Sequence, residues 1–172
     1  PAPFERRILR GNHERMLEAV LDDGSGLPDW KTLGGLDLLA SYGVALPPGV
    51  GREADMALLA ALRRSIPLGH LRFLETLETL ITVGDYVFVH AGLRPGVPLE
   101  HQREADLLWI RDEFLEFDGD FGRIVVHGHT PVPEAELRHN RINLDTGAYA
   151  TGRLTAVRLE GEEVELMTVH VR

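Results

Sequence analysis

Residues 79–93, TLITVGDYVFVHAGL, carry the pattern that decides the fold class of this chain. Alternating β-branched and aromatic residues stand on both sides of Gly84 and Asp85, which predicts two short strands joined by a tight turn. Residues 123–131, RIVVHGHTP, are typical of a buried strand that ends in a polar loop. Residues 141–171 predict three further strands, and the last two of these are joined at residues 160–162.

The first half of the chain has the spacing of amphipathic helices instead. Apolar residues recur there at intervals of three and four positions, which predicts helices around residues 16–21, 33–40, 56–62 and 71–80. A short strand, RRIL, is expected directly before the first of them. A helix-rich first half and a strand-rich second half predict an α/β protein. We expect residues 1–172 to form a single domain.

Composition excludes several classes of function. The chain has 27 acidic and 18 basic residues and a formal net charge of -9, so we expect no nucleic-acid partner. It contains no cysteine, which excludes disulfides and a thiol nucleophile and favours a cytoplasmic location. No apolar run approaches the roughly 18 residues of a membrane helix, so we expect no membrane partner.

Polar side chains follow three of the predicted strands at the point where each strand ends. Asn12 and His13 follow RRIL, His90 follows YVFV, and His127 and His129 follow IVV. Ligands of α/β proteins gather at the carboxyl ends of strands, so these side chains are expected to converge. Imidazole nitrogens and an amide oxygen suit Mn, Fe(II) or Zn, and the sequence therefore predicts a divalent-metal site.

Four motifs in fixed order carry a resemblance to a known family. They are LRGNHE at 9–14, FVHAGL at 88–93, LLWIRDEF at 107–114 and VVHGHTP at 125–131. In this order they resemble the calcineurin-like metallophosphoesterases, and specifically the bacterial serine/threonine protein phosphatase branch. The resemblance implies a β-sandwich flanked by helices (α/β/β/α) and a phosphatase that uses two divalent metal ions, with Mn expected and Fe or Zn as alternatives.

The same resemblance implies a role for each matching residue. Asn12, His90 and His129 correspond to ligands of the second metal ion, and His13 corresponds to the general acid. Arg111 corresponds to a phosphate-binding residue, and its planar donor fork suits phosphate oxygens. Two ions about 3.5–4 Å apart would activate a water molecule for direct attack on phosphorus.

The chain departs from the family pattern at its start. The motifs Gly-Asp-x-His-Gly and Gly-Asp-x-x-Asp-Arg-Gly, which supply the first metal's ligands and a second phosphate-binding Arg, do not occur in it. We therefore expect an N-terminally incomplete domain that lacks its first strands and is inactive in the form of this chain. A homo-oligomer is expected to cover the sheet edge left open.

Several alternatives remain open at this point. The substrate is expected to be a phosphoprotein or a small phosphomonoester, with a dinucleoside tetraphosphate as the alternative. A non-catalytic fragment or interaction domain is a further alternative.

Three residues near the motifs also have more than one interpretation. Asp145 begins Asp-Thr-Gly, the aspartic protease signature, but such a protease needs two of these and the motif also fits a strand of the phosphatase fold. Trp109 is interpreted as packing that positions Arg111 rather than as a base-stacking platform. At the His-Gly-His pair we favour His129 over His127 as the ligand.

Overall fold

A computed structural model describes residues 4–170, which divide into two compact units. The helical unit is formed by Asn12–Leu77, and the sheet unit is formed by residues 4–11 together with residues 78–170. Val171, the last residue of the predicted final strand, lies outside the described range. Within residues 4–170, no helix is long and apolar enough to cross a membrane.

The helical unit is built around a core of its own. Val20 and Leu62 are fully buried there, and Trp30 is 2% exposed. Burying side chains of this size contributes about 1.5–3 kcal/mol each to stability. The helices are α1 (Asn12–Asp22), α2 (Leu27–Trp30), α3 (Leu36–Ser41), α4 (Arg52–Ser65) and α5 (Leu68–Glu75).

The helix predicted over residues 33–40 begins later than expected. Leu33 and Gly34 have non-helical backbone angles, and Gly34 lies at φ 96, where an L side chain is strained. Helical hydrogen bonding therefore resumes only at α3. The kinked segment Lys31–Gly35 connects α2 to α3.

The helix predicted over residues 71–80 ends earlier than expected. α5 stops at Glu75, and Leu80 is instead the first residue of a strand, where it pairs with Val89. Leucine spacing alone could not show this, because the same apolar side chain satisfies a helix face or a strand face. The first and third predicted helices are confirmed as α1 and α4, although Met56 is 57% exposed and the buried face of α4 is formed by Leu58 and Leu62.

The sheet unit contains a mixed, five-stranded sheet among the described residues. Its strands are β1 (Leu80–Val83), β2 (Tyr86–Val89), β3 (Ile124–His127), β4 (Glu136–Leu137) and β5 (Arg141–Asn143). They lie in the order β1-β2-β3-β5-β4. β2 pairs in parallel with β3, which pairs in parallel with β5, and the two outer pairs are antiparallel. The predicted hairpin at Gly84 and Asp85 is confirmed as the β1–β2 connection.

A second, antiparallel pair of strands completes the described chain. β6 (Arg153–Glu160) pairs with β7 (Glu163–His170) along its whole length, which confirms the turn predicted at residues 160–162. The short helix α8 (Ala148–Thr151) precedes β6 and was not predicted. The central mixed sheet and the helices together confirm the predicted α/β class.

The strand predicted for RRIL is wrong as an extended element. Only Leu9 forms a bridge, in parallel with Glu78, and hydrogen bonds on either side of it join Ile8 and Arg10 to the same residue. Three short helices lie between β2 and β3 in the described chain: a 3-10 helix (Leu99–His101), α6 (Glu104–Trp109) and α7 (Asp112–Leu115).

Candidate metal and phosphate site

Parallel pairing of β2 with β3 places His90 and His129 side by side. Phe88 is paired with Val126, so the two strands end at the same edge of the sheet. The amide of Gly128 donates a hydrogen bond of 2.9 Å to the carbonyl of His90, which joins the loops beyond the strands. As a result, Nε2 of His90 lies 3.1 Å from Nδ1 of His129.

The two nitrogen atoms share a hydrogen bond at this distance, and the spacing also fits two ligands of one metal ion. Nitrogen atoms bound to one ion at about 2.0–2.1 Å, with an angle near 90–110°, lie roughly 2.8–3.4 Å apart. The separation of 3.1 Å between the His90 and His129 nitrogens falls inside that range. Within residues 4–170, no cluster of three or more His, Cys, Asp or Glu side chains could hold a metal ion.

The backbone of His129 adopts an unusual conformation. Its φ is 65, and among residues 4–170 it is the one non-glycine residue with a positive φ. Such a conformation costs on the order of 1–3 kcal/mol and is concentrated at functional sites. The imidazole is packed edge-on against Trp109, with ring centroids 5.9 Å apart, although this indole is 40% exposed and so lies outside the core.

Arg111 lies in the sharp connection between α6 and α7. Its Nη1 donates a hydrogen bond of 3.1 Å to the hydroxyl of Thr130, the residue after His129. The Arg111 side chain is otherwise exposed, so its remaining donors can reach an anion from solvent. Within the sheet unit, the paired strands and the loops beyond them therefore bring the imidazoles of His90 and His129 together with the guanidinium of Arg111.

A partly buried ion pair holds α6 against the loop that follows His90. Arg94 donates to both carboxylate oxygens of Asp106, at 3.0 and 2.6 Å. The hydrogen bond from Arg94 keeps the pKa of the Asp106 carboxyl below its usual value. The sequence analysis did not identify this pair, although the charged Asp106 directly before the apolar Leu107 was a visible signal of an ion pair. The amide of Ala91, which donates to the carbonyl of Leu107 at 2.9 Å, adds a second link.

His127 has a different environment from His129. It is 4% exposed, and its ring contacts that of Phe114 edge-on, with centroids 4.8 Å apart. Its Nδ1 donates to the carbonyl of Gly128 at 3.1 Å. Burial lowers the pKa of His127 to about 4, so the ring is neutral at physiological pH. These contacts support a structural role for His127.

Asp145 is the carboxylate that sequence reasoning did not connect with the histidine pair. It follows β5, the parallel neighbour of β3, and lines an open cavity of about 390 Å³ together with His90 and His129. Its Oδ1 accepts a hydrogen bond of 2.9 Å from the amide of Gly147, as in an Asx turn. The Asp-Thr-Gly motif thus forms a turn at the sheet edge.

Asn12 and His13 belong to the helical unit. Asn12 is the first residue of α1 and is 4% exposed, whereas the neighbouring His13 is exposed. A helix start of this kind orients both side chains by the geometry of the first turn. Their predicted roles stay predictions.

Comparison with known proteins gives partial matches. No protein-family model matches the chain. Stretches of it are similar to proteins named bis(5'-nucleosyl)-tetraphosphatase PrpE [asymmetrical]. The Anoxybacillus flavithermus protein is 41% identical over 59 residues (34% of this chain, 22% of the relative). The Halalkalibacterium halodurans protein is 37% identical over 62 residues (36% of this chain, 24% of the relative). The Bacillus thuringiensis protein is 47% identical over 45 residues (26% of this chain, 18% of the relative).

A solved structure shares the fold over most of the chain. It is a crystal structure of a "putative diadenosine tetraphosphatase", with a TM-score of 0.60 and 20% identity, over 94% of this chain and 68% of that one. By contrast, the matched stretches span only 18–24% of the length of the three PrpE proteins. None of these names supports the serine/threonine protein phosphatase branch. The chain is therefore similar, over part of its length, to proteins named for tetraphosphatase activity, and it shares its fold with one solved structure of that description.

Proposed function

We propose that this protein is a metal-dependent phosphoesterase that hydrolyses dinucleoside tetraphosphates. The observation that carries the proposal is the 3.1 Å approach of the His90 and His129 nitrogens, next to the Arg111–Thr130 hydrogen bond. Metal-binding and anion-binding groups at one sheet edge are what phosphoryl chemistry requires. The names of the PrpE relatives and of the structural neighbour support this substrate class over phosphoproteins.

The residues of the sheet unit would act as follows. His90 and His129 would bind a divalent ion. When bound, the ion lowers the pKa of a water molecule and stabilises charge on the phosphoryl oxygens. Arg111 binds two of those oxygens with its planar fork and holds the phosphorus in position.

His13 would act as the general acid. A bond forms between the water oxygen and phosphorus while the bond from phosphorus to the leaving oxygen breaks. The imidazolium of His13 gives its proton to that leaving oxygen, and the attacking water loses a proton to solvent. Imidazole suits this task because it gains and loses a proton near neutral pH.

The test is metal content and hydrolysis of diadenosine tetraphosphate, with p-nitrophenyl phosphate and a phosphoserine peptide as competing substrates. Both the 172-residue chain and the complete product of its gene should be assayed. We expect metal-dependent cleavage of the dinucleotide by the complete product in preference to the peptide. Preference for the phosphopeptide would replace the proposal with a protein phosphatase.

Two variants separate metal binding from folding. His129→Ala should lower the affinity for Mn²⁺ by at least about 100-fold, since a ligand is lost outright. His139→Ala is the matched control, because that imidazole is exposed and lies beside Asp118 on another loop. Equal Mn²⁺ binding by both variants would refute a metal-ligand role for His129.

A further inference from the structure

One guanidinium connects the two short helices on either side of Arg111. Arg94, in the loop that follows His90, donates two hydrogen bonds to the carboxylate of Asp106 in α6. The other terminal nitrogen of its guanidinium, Nη1, lies 2.6 Å from the carboxylate of Glu113 in α7. Since Arg111 lies between α6 and α7 in the chain, a single side chain spans the connection that carries it.

The connection between α6 and α7 is not held by continuous helical hydrogen bonding. Ile110 has φ -58 and ψ 142, and Arg111 has φ -130 and ψ -102, so the helical conformation is interrupted at both residues. The two helices have only six and four residues, and isolated helices shorter than about 12 residues are unstable in water. Ile110 and Phe114 anchor the connection in the core. The side chain of Arg111 is exposed, so its direction depends on how the two helices are oriented.

The backbone of Arg94 is itself fixed by a glutamine side chain. Oε1 of Gln102 accepts a hydrogen bond of 2.8 Å from the amide of Arg94. Nε2 of Gln102 donates to the carbonyl of Arg94 at 3.0 Å and to that of Val97 at 2.8 Å. The donors of a guanidinium lie in one rigid plane, so an arginine fixed in this way also fixes the separation of the two carboxylates that it binds.

We infer that Arg94 is a positioning residue for Arg111, an inference that rests on the proposed function. Arg94 sets the orientation of α6 relative to α7, and this orientation presents the guanidinium of Arg111 to the hydroxyl of Thr130. Stability alone does not account for the second contact, because the side chains of Arg94 and Glu113 are 40% and 63% exposed and exposed ion pairs contribute little. By contrast, a misplacement of about 1 Å in a binding group lowers reaction rates by up to about 100-fold.

Binding of inorganic phosphate tests this inference without catalytic turnover. Isothermal titration calorimetry of the complete gene product with Mn²⁺ present should show phosphate binding about five- to tenfold weaker in Arg94→Met than in wild type. Arg94→Lys should give a loss of about threefold, because lysine keeps the charge without the planar fork. Arg158→Met is the matched control, since Arg158 also pairs with two carboxylates, those of Glu160 and Glu165, on the β6–β7 hairpin.

A double-mutant cycle distinguishes positioning from a general effect on folding. In Arg111→Ala, where the positioned group is absent, Arg94→Met should cause no further loss of phosphate affinity. Glu113→Ala leaves the Arg94–Asp106 pair in place, so it should weaken phosphate binding about threefold while the free energy of unfolding stays nearly unchanged. Glu116→Ala, in an exposed carboxylate at the end of α7, should not weaken phosphate binding.

Unchanged phosphate affinity in either Arg94→Met or Glu113→Ala would overturn the inference. An equal loss caused by Arg94→Met in the wild-type and Arg111→Ala backgrounds would also overturn it, because Arg94 would then act independently of Arg111. Hydrolysis of diadenosine tetraphosphate by a protein whose phosphate affinity is the same with and without Arg94 would refute only the positioning role. Arg94-dependent phosphate binding by an enzyme that prefers the phosphoserine peptide would refute only the proposed function.

Discussion

Nη1 of Arg111 donates a hydrogen bond of 3.1 Å to the hydroxyl of Thr130. The bond spans 19 positions of sequence and fixes the guanidinium one residue away from His129. One motif predicts Arg111 as a phosphate-binding residue, and another predicts His129 as a metal ligand. The hydrogen bond holds these two residues in the same cluster of loops. This proximity supplies the first prediction.

Replacement of Arg111 by Ala should impair phosphate binding more than metal binding. A bidentate guanidinium contact is lost, so the inhibition constant of inorganic phosphate should rise by roughly 10- to 100-fold, as expected for charged hydrogen bonds worth about 1.5–3 kcal/mol. Arg111→Lys should give an intermediate value, because it keeps the charge without the planar fork. Arg158→Ala on the β6–β7 hairpin is the control, and an unchanged inhibition constant in Arg111→Ala would contradict the assignment.

Replacement of His13 by Asn should lower turnover by roughly 10²–10⁴-fold on an alkyl phosphomonoester and leave metal content intact. The loss should be smaller on diadenosine tetraphosphate, because a leaving phosphate is less basic than an alkoxide and needs less help from an acid. Parallel kinetics on both substrates with metal analysis would measure this. His101→Asn, in an exposed residue outside every motif, is the control. Loss of bound metal in His13→Asn would mean that His13 is a ligand instead.

The Arg94–Asp106 pair should make stability depend on pH in the acidic range. The pKa of Asp106 is lowered in the folded state from its ordinary value of 3.8, chiefly by the hydrogen bond from Arg94. The stabilisation is therefore fully present above that value and is lost as pH falls through the lower folded pKa. Urea unfolding at several pH values should show Asp106→Asn less stable than wild type at pH 7, with the difference shrinking below about pH 4. Asp37→Asn, in an exposed residue of α3, should show no such convergence.

Arg141 should contribute to stability through hydrogen bonds to backbone carbonyls. Its side chain is 1% exposed, and its guanidinium donates to the carbonyl of Leu115 and to that of Phe117 at 3.4 Å. Arg141→Met would remove the donor to the carbonyl of Leu115, whereas the carbonyl of Phe117 keeps a hydrogen bond of 3.0 Å from Nδ2 of Asn140. The variant should lower the free energy of unfolding by about 1–3 kcal/mol. Arg138→Met is the exposed control, and a loss below about 1 kcal/mol in Arg141→Met would show that solvent satisfies the carbonyl of Leu115.

Sequence reasoning located the sheet-unit residues of the candidate site because strand ends are visible in a sequence. His90 and His129 each follow an apolar run, and parallel pairing of those runs is what brings their nitrogens to 3.1 Å. Arg94 and Asp106 were missed, since a pair 12 positions apart that joins a loop to a helix has no periodic signature. Asp145 was interpreted as part of a strand of the phosphatase fold, with a protease carboxylate as the alternative, and its place beside the histidines depends on the β3–β5 pairing.

Errors in the predicted elements have a common physical cause. Leu80 and the RRIL segment carry apolar residues that fit more than one element, and tertiary pairing decided between the options. The break at Gly34 depends on a backbone angle that sequence spacing does not report. The single domain, the homo-oligomer, the identity of the metal and the cytoplasmic location stay predictions.

The two histidines of the candidate metal pair are 39 positions apart in the chain. In an unfolded chain such residues meet rarely, because closing a loop of that length costs entropy. Their nitrogens reach ligand spacing only after β2 and β3 have paired, a non-local step of the kind that slows folding. A divalent ion bound by this pair would therefore bind the folded protein in preference to the unfolded chain and raise its melting temperature with concentration. The supply of metal would therefore govern the lifetime of the folded protein as well as its rate of catalysis.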